Sequence, residues 1–189
     1  MNYNELSKQA HQSAVAKGFW DDQRSEEHFL TMVFTEVAEA VEADREGKRA
    51  NIPMYLNVRD RENRGVLQKM FNRDTTNAAF VQHVASTLED EFADIMIRLF
   101  DLAGQLQIDF DKLSPCRYYR AFSRFSFTEN VFALIKGLCR DQIGIEKRIQ
   151  FALNYVENWA AALNIDLSFH VTEKMKYNAS RGFLHGKSY

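Results

Sequence analysis

Residues 86–107 read Ser86-Thr-Leu-Glu-Asp-Glu-Phe-Ala-Asp-Ile-Met-Ile-Arg-Leu-Phe-Asp-Leu-Ala-Gly-Gln-Leu-Gln107. Ser86-Thr-Leu-Glu89 has the form of a capping box and predicts a helix start, with the helix running to about Gln107. On a helical wheel Asp90, Glu91, Asp94, Arg98, Asp101 and Gln105 form one narrow polar strip. Most of the remaining circumference is apolar, from Leu88 and Phe92 through Phe100 to Leu106. A helix so widely apolar is the centre of a bundle, and its acidic strip must face water or a polar site. Within the strip, Glu91 and Asp94 are three residues apart and share a face.

The same spacing occurs earlier, in Glu36-Val-Ala-Glu39. Ser25 is a good N-cap for the helix that carries it, with Glu26 and Glu27 in the first turn. This helix is expected to run to about Glu46 and stop at Gly47. Phe29, Met32, Ala40 and Ala43 bracket Glu36, which places it at the edge of the buried stripe, whereas Glu39 lies toward solvent. Two such pairs on packed helices bring four carboxylates together. Four ionised carboxylates repel and are costly to desolvate. A hard divalent cation removes that conflict, and oxygen-only ligands suit Mg²⁺, with Mn²⁺ a second choice. A salt bridge from Arg98 is the alternative for one pair; two pairs on two long helices favour metal.

The composition agrees with an all-α chain. It has 189 residues, 46% hydrophobic and 13% aromatic, with only two prolines and eight glycines. That is enough for one substantial core. The net charge of -2 gives no global field for nucleic acid. No apolar run approaches the ~20 residues of a membrane span. The polar start carries no signal-like segment, and Cys116 and Cys139 are isolated thiols, so a reducing cytoplasm is expected.

Outside the two acidic helices, a first helix is expected over Tyr3 to Lys17, closed by Gly18. His11 lies in it, and Trp20 follows in the turn, so an imidazole and an aromatic plate are candidates to line one pocket. Residues 47–86 form the least regular stretch, with many arginines and short helices expected at Val66–Phe71 and Ala78–Ala85. A connection this long is a candidate lid. Residues 110–126 read as a basic and aromatic connector. Ser126-Phe-Thr-Glu129 is another capping box, opening a helix to about Arg140. Gly144 precedes a helix from Ile145 to Leu163, and Asp166 caps a last one, Leu167 to about Ala179. Leu163-Asn-Ile-Asp-Leu167 echoes Leu106-Gln-Ile-Asp-Phe110, which hints that residues 127–165 repeat the earlier helical hairpin without its acidic pairs. In the tail, Lys174, Asn178, Arg181 and Lys187 are donors suited to phosphate oxygens.

Taken together, Glu-x-x-Glu, Glu-x-x-Asp, the tail Lys174-x3-Asn178-x2-Arg181 and the His11–Trp20 spacing resemble the MazG-like all-α nucleoside triphosphate pyrophosphohydrolases, relatives of dCTP pyrophosphatase and dimeric dUTPase. The resemblance spans roughly residues 8–109 and 160–187. It implies a single all-α domain: a metal-binding half over 1–109, an inserted or degenerate-repeat hairpin over 110–165, and a C-terminal substrate-binding helix and tail over 166–189. It implies Mg²⁺-dependent hydrolysis of a nucleoside triphosphate, a dNTP or a modified NTP, to monophosphate and pyrophosphate. Glu36, Glu39, Glu91 and Asp94 would hold metal, and Glu36 would serve as general base. His11 and Trp20 would contact the base, and Arg98, Lys174, Asn178, Arg181 and Lys187 the remainder of the substrate. Such proteins are usually homodimers or higher oligomers. The long 47–86 segment and residues 110–165 depart from the compact members. Alternatives are a dUTPase-type pyrophosphatase and an inactive nucleotide-binding or interaction module. A di-iron carboxylate bundle is excluded, because that class wants Glu-x-x-His and no histidine here has Glu three residues before it.

Overall fold

The computed structural model describes residues 1–65, 77–116 and 120–186. Among the described residues it is all-helical, without strands. The α-helices are α1 (Tyr3–Ala16), α2 (Glu26–Arg45), α3 (Ile52–Asn63), α4 (Ala78–His83), α5 (Leu88–Gln105), α6 (Phe127–Leu138), α7 (Ile145–Ala162) and α8 (Leu167–Ser180). None is long and apolar enough to cross a membrane. The expected helix at Val66–Phe71, the connector residues Arg117 to Tyr119 and Lys187 of the tail lie outside the described residues.

The ends of the helices follow local chemistry. Ser25 Oγ accepts from His28 N, Asp166 Oδ1 accepts from Phe169 N, and Ser126 and Glu129 close a reciprocal capping box. Each satisfies an N–H group that the helix leaves orphaned. Gly18 and Gly47 sit at φ 83° and φ 64° beyond α1 and α2, where a left-handed residue ends the helix.

Ser86 differs from its expected role. It is left-handed, at φ 58°, and the N-cap is Thr87, whose side chain accepts from Asp90 N. The reason is tertiary. Glu89 does not fold back on a cap; it accepts from Arg49 Nε at 2.8 Å and Ala50 N at 2.9 Å. Leu88 N also donates to Lys48 O, so the chain leaving α2 is laced to the start of α5. Among its described residues, the irregular stretch contains one long helix, α3, opened by Asn51 and by Pro53 in its first turn.

The central position of α5 matches its apolar circumference. Leu88, Phe92, Met96, Leu99 and Phe100 have no exposed surface. Burial of each contributes about 1.5–3 kcal/mol. Helix α5 packs against α1, α2, α7 and α8, while α6 bridges α2 and α7. One continuous apolar cluster therefore joins the acidic helices to the α6–α7 hairpin. Phe92 reaches across to Trp159 and Phe127 in that hairpin. The α3–α4 pair has a small cluster of its own, Tyr55, Ala79, Phe80 and Val84, which meets α8 through Phe169 and Tyr177. Helix α1 crosses α5 very closely at Gly104: a Cβ there would lie 2.5 Å from both Ser7 O and His11 Cβ.

Candidate metal and substrate site

Helices α1, α2, α5 and α8 enclose a cavity of about 240 Å³. Helix α2 contributes Glu36 and Glu39. Helix α5 contributes Asp90, Glu91, Asp94, Arg98 and Asp101, and α8 contributes Lys174 and Asn178. The whole polar strip read from α5 is therefore turned toward this space, apart from Gln105. The amphipathic design explains the placement: the apolar faces of α2 and α5 fill the core, so their acidic edges meet beside it.

Glu36, Glu91 and Asp94 each offer an oxygen, and those oxygens lie within 4.8 Å of one another. Glu36 and Glu91 are 5% and 4% exposed, so the group is largely cut off from water. Oxygens around one Mg²⁺ at 2.0–2.1 Å stand at most about 4.2 Å apart, so small side-chain rotations suffice to close the set. Glu39 lines the cavity but is exposed and does not join the three.

Two buried carboxylate oxygens have no hydrogen-bond partner among the described residues, Glu91 Oε2 and Asp90 Oδ1. An unpaired buried acceptor is costly and calls for a donor or a cation. The titration of the group reflects the same deficit. Burial, reinforced by Asp94 and Asp90, pushes the Glu91 carboxyl up to about 8. Burial raises Asp90 to about 6, against the opposing pull of Lys174. Burial and then Asp94 also raise Glu36, while Arg98 acts the other way.

The cationic side chains divide the acidic group between them. Lys174 is 6% exposed, and its Nζ lies 2.7 Å from Asp90 Oδ2 and 2.6 Å from Asp94 Oδ2. Burial would lower its pKa, yet the two carboxylates outweigh this and raise it. Arg98 Nε donates to Glu36 Oε1 at 2.9 Å. Lys174 and Arg98, expected to meet substrate, are thus held on carboxylates at the cavity wall. Asn178 lines the cavity with a buried, unpartnered Oδ1. Arg181 lines it too; its guanidinium donates to His185 O and lies 5.7 Å from the Tyr177 ring centre. Lys17 ties α1 to the end of α8 by donating to the carbonyls of Ala179 and Arg181.

His11 and Trp20 come together, with ring centres 5.0 Å apart. Neither lines this cavity, whereas the expectation was that both line the substrate pocket. Trp20 is stacked on Phe29 at 4.1 Å, and His11 borders a separate, shallower cleft between α1 and the end of α5. Their ring nitrogens instead converge on Asp101: His11 Nδ1 and Trp20 Nε1 each lie 2.9 Å from Asp101 Oδ1. Asp101 lines the cavity.

The periodicity of residues 88–105 puts Asp90 and Asp101 on the acidic strip without distinguishing a role for either. Their spacing from Asp94, four residues back and seven forward, was the available signal, because both intervals keep a residue on the same helix face.

Among the described residues, six carboxylates and four lysine or arginine side chains line the cavity. With all ionised, two negative charges remain, the deficit that one divalent cation fills. An all-oxygen donor set with this charge fits Mg²⁺ or Mn²⁺ rather than a softer metal. Comparisons of the chain with protein-family models, with curated proteins and with solved structures found no match.

Proposed function

We propose that this protein hydrolyses a nucleoside triphosphate to the monophosphate and pyrophosphate with Mg²⁺, in the manner of the MazG-like pyrophosphohydrolases. The observation that carries the reading is the buried group Glu36, Glu91 and Asp94, with an unpartnered Glu91 oxygen and a net negative cavity around it. A non-catalytic binding module has no need of two buried carboxylates and a third, half-buried one with oxygens within 4.8 Å of one another.

Glu36, Glu91 and Asp94 would hold the ion, with Glu39 at the open edge. When bound, Mg²⁺ supplies Lewis-acid stabilisation of charge on the phosphate oxygens. The chain's own residues do the positioning. Arg98, Arg181 and Lys174 bring positive charge to a triphosphate lying along the cavity, and Asn178 offers its amide. Burial keeps water from screening these contacts. Glu36 is suited to accept the proton of the attacking water. Arg98 fixes its Oε1, which holds the carboxylate in one orientation at the ion site. Free Cys116 and Cys139 are in keeping with the cytoplasmic setting proposed for such an enzyme.

The test is a panel of canonical and modified (d)NTPs with Mg²⁺, scored by chromatography for products. Monophosphate with an equal amount of pyrophosphate supports the reading. Diphosphate with orthophosphate, or no turnover of any nucleotide, contradicts it.

A further inference from the structure

We infer that Asp101 is a base-recognition residue, and that the preferred substrate carries an exocyclic amino group on its base. The inference rests on the nucleotide reading above and deepens it. Asp101 is 7% exposed and lies on the cavity wall. Its Oδ1 already takes two donors, His11 Nδ1 and Trp20 Nε1, each at 2.9 Å. A carboxylate oxygen has two lone pairs, so Oδ1 is saturated. Among the described residues no group donates to Oδ2, which is left as a fixed, charged acceptor. Nothing in the proposed phosphate chemistry uses an acceptor there, because a carboxylate repels phosphate.

The position suits a base. Asp101 is two helical turns beyond Asp94, a rise of about 10.5 Å along α5. That is about the reach from the reacting phosphorus of a bound nucleotide to the far edge of its base. Apolar surface on which a base can pack is present as well, since the Phe19 ring and the Ile97 side chain also line the cavity.

The donor pattern then selects among bases. Adenine, cytosine and guanine each present an amino group to a carboxylate acceptor. Uracil and thymine present an N–H flanked by two carbonyl oxygens, which a carboxylate repels. His11 and Trp20 act through Asp101 in this scheme. The pair locks its side chain so that one oxygen points at the base, and Trp20 is itself held by its stack on Phe29.

The experiment compares base pairs that differ in the amino group, dCTP against dUTP and dGTP against dITP, for wild type, Asp101→Asn and Trp20→Phe. Turnover is measured with Mg²⁺, and binding of the matching monophosphates is measured by calorimetry. Wild type should favour the amino-bearing member by about 10- to 100-fold, the worth of one hydrogen bond to a charged group. That ratio should fall toward one in Asp101→Asn and part of the way in Trp20→Phe, which keeps the ring but removes its N–H. Should Asp101→Asn fail to fold, Trp20→Phe decides. A wild-type preference for uracil, or a ratio unchanged in the variants, overturns the inference while leaving the hydrolysis intact. Absence of turnover, with amino-dependent monophosphate binding that the variants lose, overturns the proposed reaction and upholds the base subsite. Absence of turnover together with binding of neither monophosphate overturns both.

Discussion

Replacing Lys174 by Met should unmask the acidic site. The substitution keeps an unbranched stem and removes the ammonium that now sits on Asp90 and Asp94, at 2.7 and 2.6 Å. Asp90 is 2% exposed, so its charge loses its partner without gaining water. Breaking a buried pair by removing one member costs about 3–5 kcal/mol. Without metal at pH 7, Lys174→Met should lose that much in urea unfolding. The loss should shrink on acidification, because Asp90, already raised to about 6 with Lys174 in place, is raised further without it and takes up a proton. Mg²⁺ should then restore the variant more than it stabilises wild type, since it no longer competes with Lys174 for Asp94. An affinity gain of tenfold corresponds to about 1.4 kcal/mol of additional stabilisation at saturating Mg²⁺. The assay is a set of urea curves at pH 5 and pH 7 with and without Mg²⁺. Equal Mg²⁺ stabilisation of the two proteins would refute the view that ammonium and metal occupy one acidic group.

Glu91→Gln tests the titration of the same group. The Glu91 carboxyl rises on folding from 4.5 to about 8, so its favourable contribution is complete below pH 4.5 and disappears as pH rises through 8. The stability of Glu91→Gln relative to wild type should therefore increase across that range in metal-free solution; a flat difference would mean that Glu91 titrates normally. Glu36→Gln and Asp94→Asn should each cut turnover by more than roughly 100-fold while leaving the far-ultraviolet circular dichroism helical. Near-normal Mg²⁺-dependent activity in both would place the site elsewhere. Gly104→Ala drives a methyl to within 2.5 Å of Ser7 O and His11 Cβ. It should cost about 1–3 kcal/mol in thermal or urea unfolding by forcing α1 off α5, and an unchanged midpoint would contradict the close crossing.

Much of the architecture is legible where periodicity and capping agree. The apolar circumference of residues 88–105, the caps Ser25, Ser126 and Asp166, and the glycines 18 and 47 are local signals, and the chain obeys them. Where tertiary contacts compete, the local signal fails. Ser86-Thr-Leu-Glu89 has the letters of a capping box, but Arg49 and Ala50 claim Glu89, and Thr87 takes over the cap. Helix α3 was hidden by its arginines, although Asn51 followed by Pro53 is a start signal. At the site, helix spacing is enough to place Glu36, Glu91 and Asp94 on facing edges. Spacing does not say which charges will neutralise one another across helices. Lys174 lies 84 residues from Asp90 in sequence, and only packing of α8 on α5 brings the ammonium to that carboxylate. For the same reason His11 and Trp20 were legible as a pair, but not their shared hold on Asp101.

In the proposed reaction water attacks the α-phosphorus of a nucleoside triphosphate and pyrophosphate leaves. Turnover in H₂¹⁸O with Mg²⁺, followed by mass spectrometry of both products, tests this directly. The label should appear in the nucleoside monophosphate, with none in pyrophosphate. Label in pyrophosphate would place the attack on the β-phosphorus, and label in orthophosphate would place it on the γ-phosphorus; either result contradicts the proposed reaction.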